Sequence, residues 1–162
     1  VAAQIRRRLT QAREPAAIIG DARDMRLRMA ETFPGANPWD LKYAPGGLVD
    51  IEFIAQSLQL VHAPAQPDIL NTNTVAALCN LKAAGLLSET DAGALIAAAR
   101  LQHALTQVLR IALDETPRIE DATRGLKALL TRAAGAGSFA EAQKRLAERQ
   151  TQTRDIFNRL MA

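Results

Sequence analysis

The stretch Asp40-Leu41-Lys42-Tyr43-Ala44-Pro45-Gly46-Gly47-Leu48-Val49-Asp50-Ile51-Glu52-Phe53 divides the chain into two kinds of sequence. Its first half, through Pro45-Gly46-Gly47, cannot be a helix interior, because proline lacks a backbone donor and collides with the preceding turn. Its second half opens a helix at Leu48. The segment therefore reads as a lysine-bearing arm, a Pro-Gly-Gly turn and the first turn of a helix. Two glycines there permit positive φ or a close backbone approach. Two readings follow. Free N–H groups at the helix start can receive a phosphate, with Lys42 adding a point charge; or the turn simply redirects the chain.

Working outward, the remaining sequence is helical. Towards the N-terminus, a first helix is expected over Ala3 to Arg13, and a second from Asp21, whose carboxylate would cap it. Met25 and Met29 then fall four apart on one face. Pro34, Gly35, Asn37 and Pro38 extend the irregular segment over residues 33–47. Beyond it, one helix runs from Leu48 to about His62, before Pro64 and Pro67. Asn71 or Thr72 caps the next, which Gly85 ends. Ser88 with Asp91 forms a capping box for a long helix to about Leu113, closed by Pro117. A helix over Asp121 to Ala134, a Gly135-Ala136-Gly137 hinge, and a second capping box, Ser138 with Glu141, lead to a last helix ending near Met161. Short loops between long amphipathic helices imply antiparallel neighbours. The expectation is a single all-α domain over 1–162, an antiparallel bundle of six to seven helices. Leading helices occupy 1–32 and the bundle proper 48–162. Because the chain opens at Val1 already in helical register, it reads as a piece of a larger protein.

Composition agrees with helices and narrows the function classes. Hydrophobic residues make up 48% and aromatics only 4%, so strand formers are scarce while Ala and Leu pack helices closely. The apolar stretches stay below the roughly 18 residues that span a bilayer, and the opening residues show no basic run followed by an apolar one, so secretion is not expected. Arg6, Arg7, Arg8 and Arg13 concentrate charge near the start, but a net charge of +3 and so few aromatics for base stacking argue against nucleic acid. The lone Cys79 excludes an intrachain disulfide and suits a reducing compartment. Its place between Leu78 and Leu81 makes it a small core filler.

Asp50 and Glu52 invite a reading as paired metal ligands. Acids two apart share one face of a strand, but on a helix they diverge by about 200°. Glu52 falls with Gln56 and Gln59 on a narrow polar strip. Asp50 falls at the margin of the apolar stripe beside Ile54 and Val61, where it needs an arginine or backbone donors. Arg23, Arg26 and Arg28 are the candidates. The sequence holds no Gly-rich loop after a strand, no Cys/His cluster at zinc spacing and no nucleophile with a base nearby. No metal site and no catalytic residue are expected in it. His103 shares a helical face with Arg100, Gln107 and Arg110, away from Leu101, Leu105, Val108 and Ala112. Arg100, His103 and Arg110 are either a solvated face or a basic surface that docks a partner. His62 ends its helix, where a cation suits the dipole.

Lys42 to Phe53, continuing through Ile54-Ala55-Gln56, resembles the motif in the helical domains of glutamine synthetase adenylyltransferases. The helical region of PII uridylyltransferases is more distantly similar. Arg23-Asp24-Met25-Arg26, Asn73-Thr74, Gly85-Leu86-Leu87 and Leu101-Gln102-His103-Ala104-Leu105 follow in the family's order, so the resemblance covers most of the chain. It implies a bifunctional enzyme of two halves, each a nucleotidyltransferase domain followed by a helical domain. One half adenylylates glutamine synthetase and the other removes the AMP. The form Gly47-Leu48-Val49-Asp50-Ile51-Glu52-Phe53 is closer to the adenylylating C-terminal half, since the other more often carries an Ile-Arg-Glu version. The family's acidic metal-binding residues lie upstream of Val1.

The resemblance thus implies an accessory or regulatory domain, inactive alone, in the control of nitrogen assimilation. ATP and Mg2+ would serve the complete enzyme and no cofactor this chain. The implied partners are the chain's own catalytic domain, glutamine synthetase and the PII signalling protein, in the cytoplasm. Lys42, Gly46 and Gly47 would face the nucleotide or a domain junction, with Asp50 and Glu52 beside them and Asp50 as brace. The competing reading is a self-contained helical interaction module without nucleotide chemistry.

Overall fold

A computed structural model describes residues 2–112 and 119–162. Every regular element among them is helical: α1 Ala2–Leu9, α2 Pro15–Thr32, α3 Leu48–His62, α4 Thr74–Ala83, α5 Glu89–Ala112, α6 Arg124–Ala133 and α7 Phe139–Leu160. Short 3-10 turns lie at Pro67–Ile69 and Ile119–Asp121. The expected close of α5 near Leu113 and at Pro117 falls outside the described residues.

The capping chemistry sets most boundaries. Ser138 accepts from the Glu141 amide at the start of α7, while the Glu141 carboxylate receives the Gly137 amide. Ser88 likewise accepts from the Asp91 amide. Asn73, rather than Asn71 or Thr72, caps α4 through the Ala76 amide, and the Asn71 side chain in turn accepts from the Asn73 amide. Thr123 caps α6, which therefore starts after the 3-10 turn and not at Asp121. The largest departure is α2. It begins at Pro15, with Glu14 before it, and Asp21 sits exposed in its interior instead of capping it. Proline is pre-set for a first helical position, where its missing donor costs nothing. α1 is correspondingly shorter than expected and stops at Leu9.

Two apolar clusters form the core. The first joins α3 and α4 with the N-terminal part of α5 and the C-terminal end of α7, around Ile51, Ile54, Leu78, Leu81 and Leu95. The second joins α6 with Leu105 of α5, Leu146 of α7 and Trp39 and Leu41 of the irregular segment. Trp39 stacks on Phe139 with ring centroids 5.7 Å apart. Along α5, Ala99 belongs to the first cluster and Leu105 to the second; buried Gln102 lies between them. Along α7, buried Gln150 and Thr153 fall between Leu146 and Ile156 in the same way. A polar layer thus separates the clusters, and the irregular segment supplies its partners.

Cys79 is exposed and not core filler. The buried positions of α4 are Ala77, Leu78 and Leu81; residue 79 lies about 200° around the helix from 81 and so turns outward.

Candidate functional site

The Pro-Gly-Gly elbow is built around one carboxylate. Asp50 is fully buried on the first turn of α3. Its Oδ1 accepts from Arg26 Nε. Its Oδ2 accepts from the Gly46 amide at 2.7 Å and from Arg154 Nη1 at 3.3 Å. Of the three arginines expected near it, Arg26 is the partner; its side chain is 4% exposed and also donates Nη2 to the Tyr43 carbonyl at 3.0 Å. One carboxylate therefore ties α2, the elbow and α7 to α3. Leaving it unpaired at this depth would cost several kcal/mol per ion.

Gly46 explains why glycine stands at the turn. Its φ is +76°, and a Cβ there would lie 1.8 Å from the Gln150 carbonyl oxygen. Its own carbonyl accepts from Gln102 Nε2 at 3.0 Å, so α5 and α7 close on it from two sides. Gln150 Nε2 meanwhile donates to the Pro38 carbonyl at 2.8 Å. Gln102 Oε1 is buried with no partner among the described residues, an acceptor that a buried water would satisfy.

The amides expected to stand free at the start of α3 are occupied. Gly47 N–H donates to the Ala44 carbonyl, Leu48 to Leu41 and Val49 to Lys42. Asp50 and Ile51 both turn back to the Gly47 carbonyl. With Gly46 spent on Asp50, this helix end has no open cradle for a phosphate. Of the five expected junction residues, Gly46, Gly47 and Asp50 are buried, Glu52 is half-buried and Lys42 is exposed. Lys42 Nζ lies 4.9 Å from the centre of the Tyr43 ring. A hydrogen-bonding contact with that side chain raises its pKa above the usual lysine value, and the Glu52 and Asp40 carboxylates add to the effect. Tyr43 stacks on Phe33, with centroids 4.3 Å apart and Phe33 itself exposed. The elbow thus presents outward a cation and an aromatic pair.

Asp50 and Glu52 do diverge as helical geometry requires, but Gln59 is not on an open polar strip. It is buried, accepting from the Asn71 amide at 2.7 Å. Arg100, His103, Gln107 and Arg110 are all exposed along α5, opposite the buried Leu105. None of the three cations enters an ion pair among the described residues, unlike Arg26 and Arg154 at the elbow. Arg154 and the two clamping glutamines had no place in the sequence expectations. Arg154 is 104 residues from Asp50, and no local pattern links them. Gln102 did carry a signal, as a polar residue interrupting the apolar stripe of α5. Among the described residues no three His, Cys, Asp or Glu side chains cluster as metal ligands, and no helix is long and apolar enough to cross a membrane.

A family model described as GlnD PII-uridylyltransferase matches residues 22–161. Among curated relatives, the chain is 43% identical over 161 residues to a bifunctional glutamine synthetase adenylyltransferase/adenylyl-removing enzyme of Bradyrhizobium diazoefficiens. That alignment covers 99% of this chain and 16% of the relative. A protein of the same name from Rhodopseudomonas palustris strain TIE-1 is 46% identical over 157 residues, covering 97% of this chain and 16% of that protein. A third, from Xanthobacter autotrophicus, is 42% identical over 93% of this chain and covers 15% of its own length. The chain therefore corresponds to about a sixth of these relatives.

Proposed function

Because the chain belongs to the family described as GlnD PII-uridylyltransferase, and matches a region of glutamine synthetase adenylyltransferases along nearly all its length, we propose that it is the helical domain paired with the adenylylating site of such an enzyme. In this reading it supports transfer of AMP from ATP to glutamine synthetase, within a cytoplasmic system that controls nitrogen assimilation. ATP and Mg2+ act at an upstream nucleotidyltransferase domain, and PII signalling protein reaches the enzyme through its helical parts. The chain itself supplies rigidity and a docking surface and performs no chemistry alone.

The observation that carries the reading is the fate of Asp50. The acid at the heart of the motif spends both oxygens on Arg26, Gly46 and Arg154. A carboxylate so committed, and fully buried, holds a junction in shape. Lys42, with the Tyr43–Phe33 pair, is the part of the motif turned outward, and it is the contact offered to the nucleotide or to the catalytic domain.

The test is AMP incorporation into glutamine synthetase from labelled ATP. The complete protein should transfer AMP and the 162-residue chain should not. Lys42→Met in the complete protein should slow transfer about tenfold, the loss of one charge-assisted contact, with an unchanged melting temperature. Transfer by the isolated chain would place the chemistry within it. An upstream region lacking an acid pair, with no transfer by the complete protein, would favour the self-contained interaction module.

A further inference from the structure

Below the elbow lies a cavity of about 300 Å³, walled by α2, Pro34, Pro45 and the last turns of α7. Three arginines line it, Arg23 and Arg26 from α2 and Arg154 from α7, and no acidic side chain does. Leu27, Phe157 and Met161 are prominent among its apolar walls, and Asn158 and the last residue, Ala162, complete the lining. The charge balance is uneven. Asp50, buried behind the wall, is shared by Arg26 and Arg154 and neutralises one of them. Arg23 has only the exposed Asp24, 4.0 Å away. Arg26 donates Nε to Asp50 and Nη2 to the Tyr43 carbonyl. Its Nη1 has no acceptor among the described residues. Arg154 is about a third exposed and rests its guanidinium over the Phe157 ring at 5.0 Å.

A guanidinium is a fork of donors shaped for oxyanions, and here three converge on one concavity. A single side-chain carboxylate, Asp50, lies behind them and the terminal carboxylate of Ala162 at the edge, still fewer negative than positive groups. The low-dielectric walls strengthen what attraction remains. We propose that this cavity binds a small multivalent anion, a phosphate compound or a polycarboxylate, gripped by Arg23 and Arg154 above the floor of Arg26. The anion would compete with Asp50 for Arg154, so occupancy would be felt at the Gly46 elbow. This inference is independent of the enzymatic reading above.

Titration of the folded chain with inorganic phosphate and with citrate, at ionic strength matched by sodium chloride, tests it. A saturable rise in melting temperature of about 4 °C is expected at tenfold excess over Kd. Phosphate and citrate also stabilise proteins generally by exclusion from their surface, without saturation. Arg23→Gln separates the two, because Arg23 is exposed and lies outside the Asp50 network, so the variant should fold as the parent does. It should bind about tenfold more weakly. Arg100→Gln, on the exposed face of α5 and not among the residues lining the cavity, should bind as the parent does. In 1H–15N spectra the Arg23 and Arg154 side-chain signals should shift with the ligand. Tighter binding of phosphate would identify a phosphorylated ligand, and tighter binding of citrate a polycarboxylate. A response in Arg23→Gln equal to the parent's, a loss in Arg100→Gln equal to that in Arg23→Gln, or no saturable response, overturns the proposal.

Discussion

Two arginine-bearing regions of this molecule differ in almost everything except residue type. At the elbow, Arg26 is buried, fixed by two acceptors, and matched to a carboxylate that no water reaches. On α5, Arg100 and Arg110 stand in solvent beside His103 with no ion pair among the described residues. Buried charges are held to one geometry by the cost of leaving either partner alone, whereas exposed charges cost the fold nothing and remain available to a partner. The elbow is therefore where the sequence is answerable to the fold. The α5 face is answerable, if to anything, to another molecule.

Substitutions can break that contrast, and the largest effect belongs to the elbow. Gly46→Ala forces a Cβ into the Gln150 backbone at a φ of +76°. Urea unfolding should show a loss of about 4 kcal/mol or more, or no folded protein at all. Asp50→Asn should come next. It strands the Arg26 guanidinium in the core, and a loss of about 3 kcal/mol is expected in the same assay.

Smaller effects should come from pairs nearer water. Arg159 Nη2 donates to Asp91 Oδ1 at 2.7 Å and links α7 to α5, but Arg159 is more than half exposed. Arg159→Ala should cost no more than about 0.5 kcal/mol. Partial burial alone would raise the Asp91 pKa; the Ser88 hydroxyl and Arg159 outweigh it and hold the carboxyl below its usual value. A lowered folded pKa means that the unfolded chain binds the proton more readily. The contribution is then complete above about pH 4 and lost as pH falls through the folded value. Chemical denaturation between about pH 5 and pH 3 should show a shallower loss in Arg159→Ala than in the parent.

The smallest effect on stability should be that of Arg100→Ala with Arg110→Ala, within about 0.5 kcal/mol. If this face docks the catalytic domain or glutamine synthetase, the pair should weaken binding most at low salt. Unchanged affinity at low salt would leave the face as solvated surface.

What could be read from the sequence followed the range of the interaction. The Ser88 and Ser138 N-caps, the irregular segment over 33–47 and the helix from Leu48 to His62 depend on residues a few positions apart and stand as expected. Asp91 and Glu141, however, receive the Ser88 hydroxyl and the Gly137 amide rather than the capping residues' own amides. Arg26 was among three candidates for Asp50 because burial of an acid demands a cation, although sequence spacing could not choose among them. Arg154 was invisible, since only the packing of α7 on α3 brings it 104 residues back to Asp50. The same holds for the phosphate cradle. A Gly-Gly turn before a helix suggests free amides, but carbonyls of Leu41, Lys42 and Ala44 fill them through a compact turn. The second helix, expected from Asp21, begins six residues earlier because the Pro15 ring suits the first position of α2. The partners of buried Gln102 and Gln150 were equally out of reach, because their acceptors, the Gly46 and Pro38 carbonyls, belong to a segment with no regular structure.

The central claim is that the motif's acid is a structural lock and that Arg26 is its principal partner. A double-mutant cycle over Asp50→Asn and Arg26→Met, measured by urea unfolding, tests it most directly. The two changes together should cost less than the sum of the separate losses by about 2 kcal/mol, because each removes a charge whose partner the other leaves unpaired. Strictly additive losses would mean that the two side chains stabilise the fold independently, and would contradict the account.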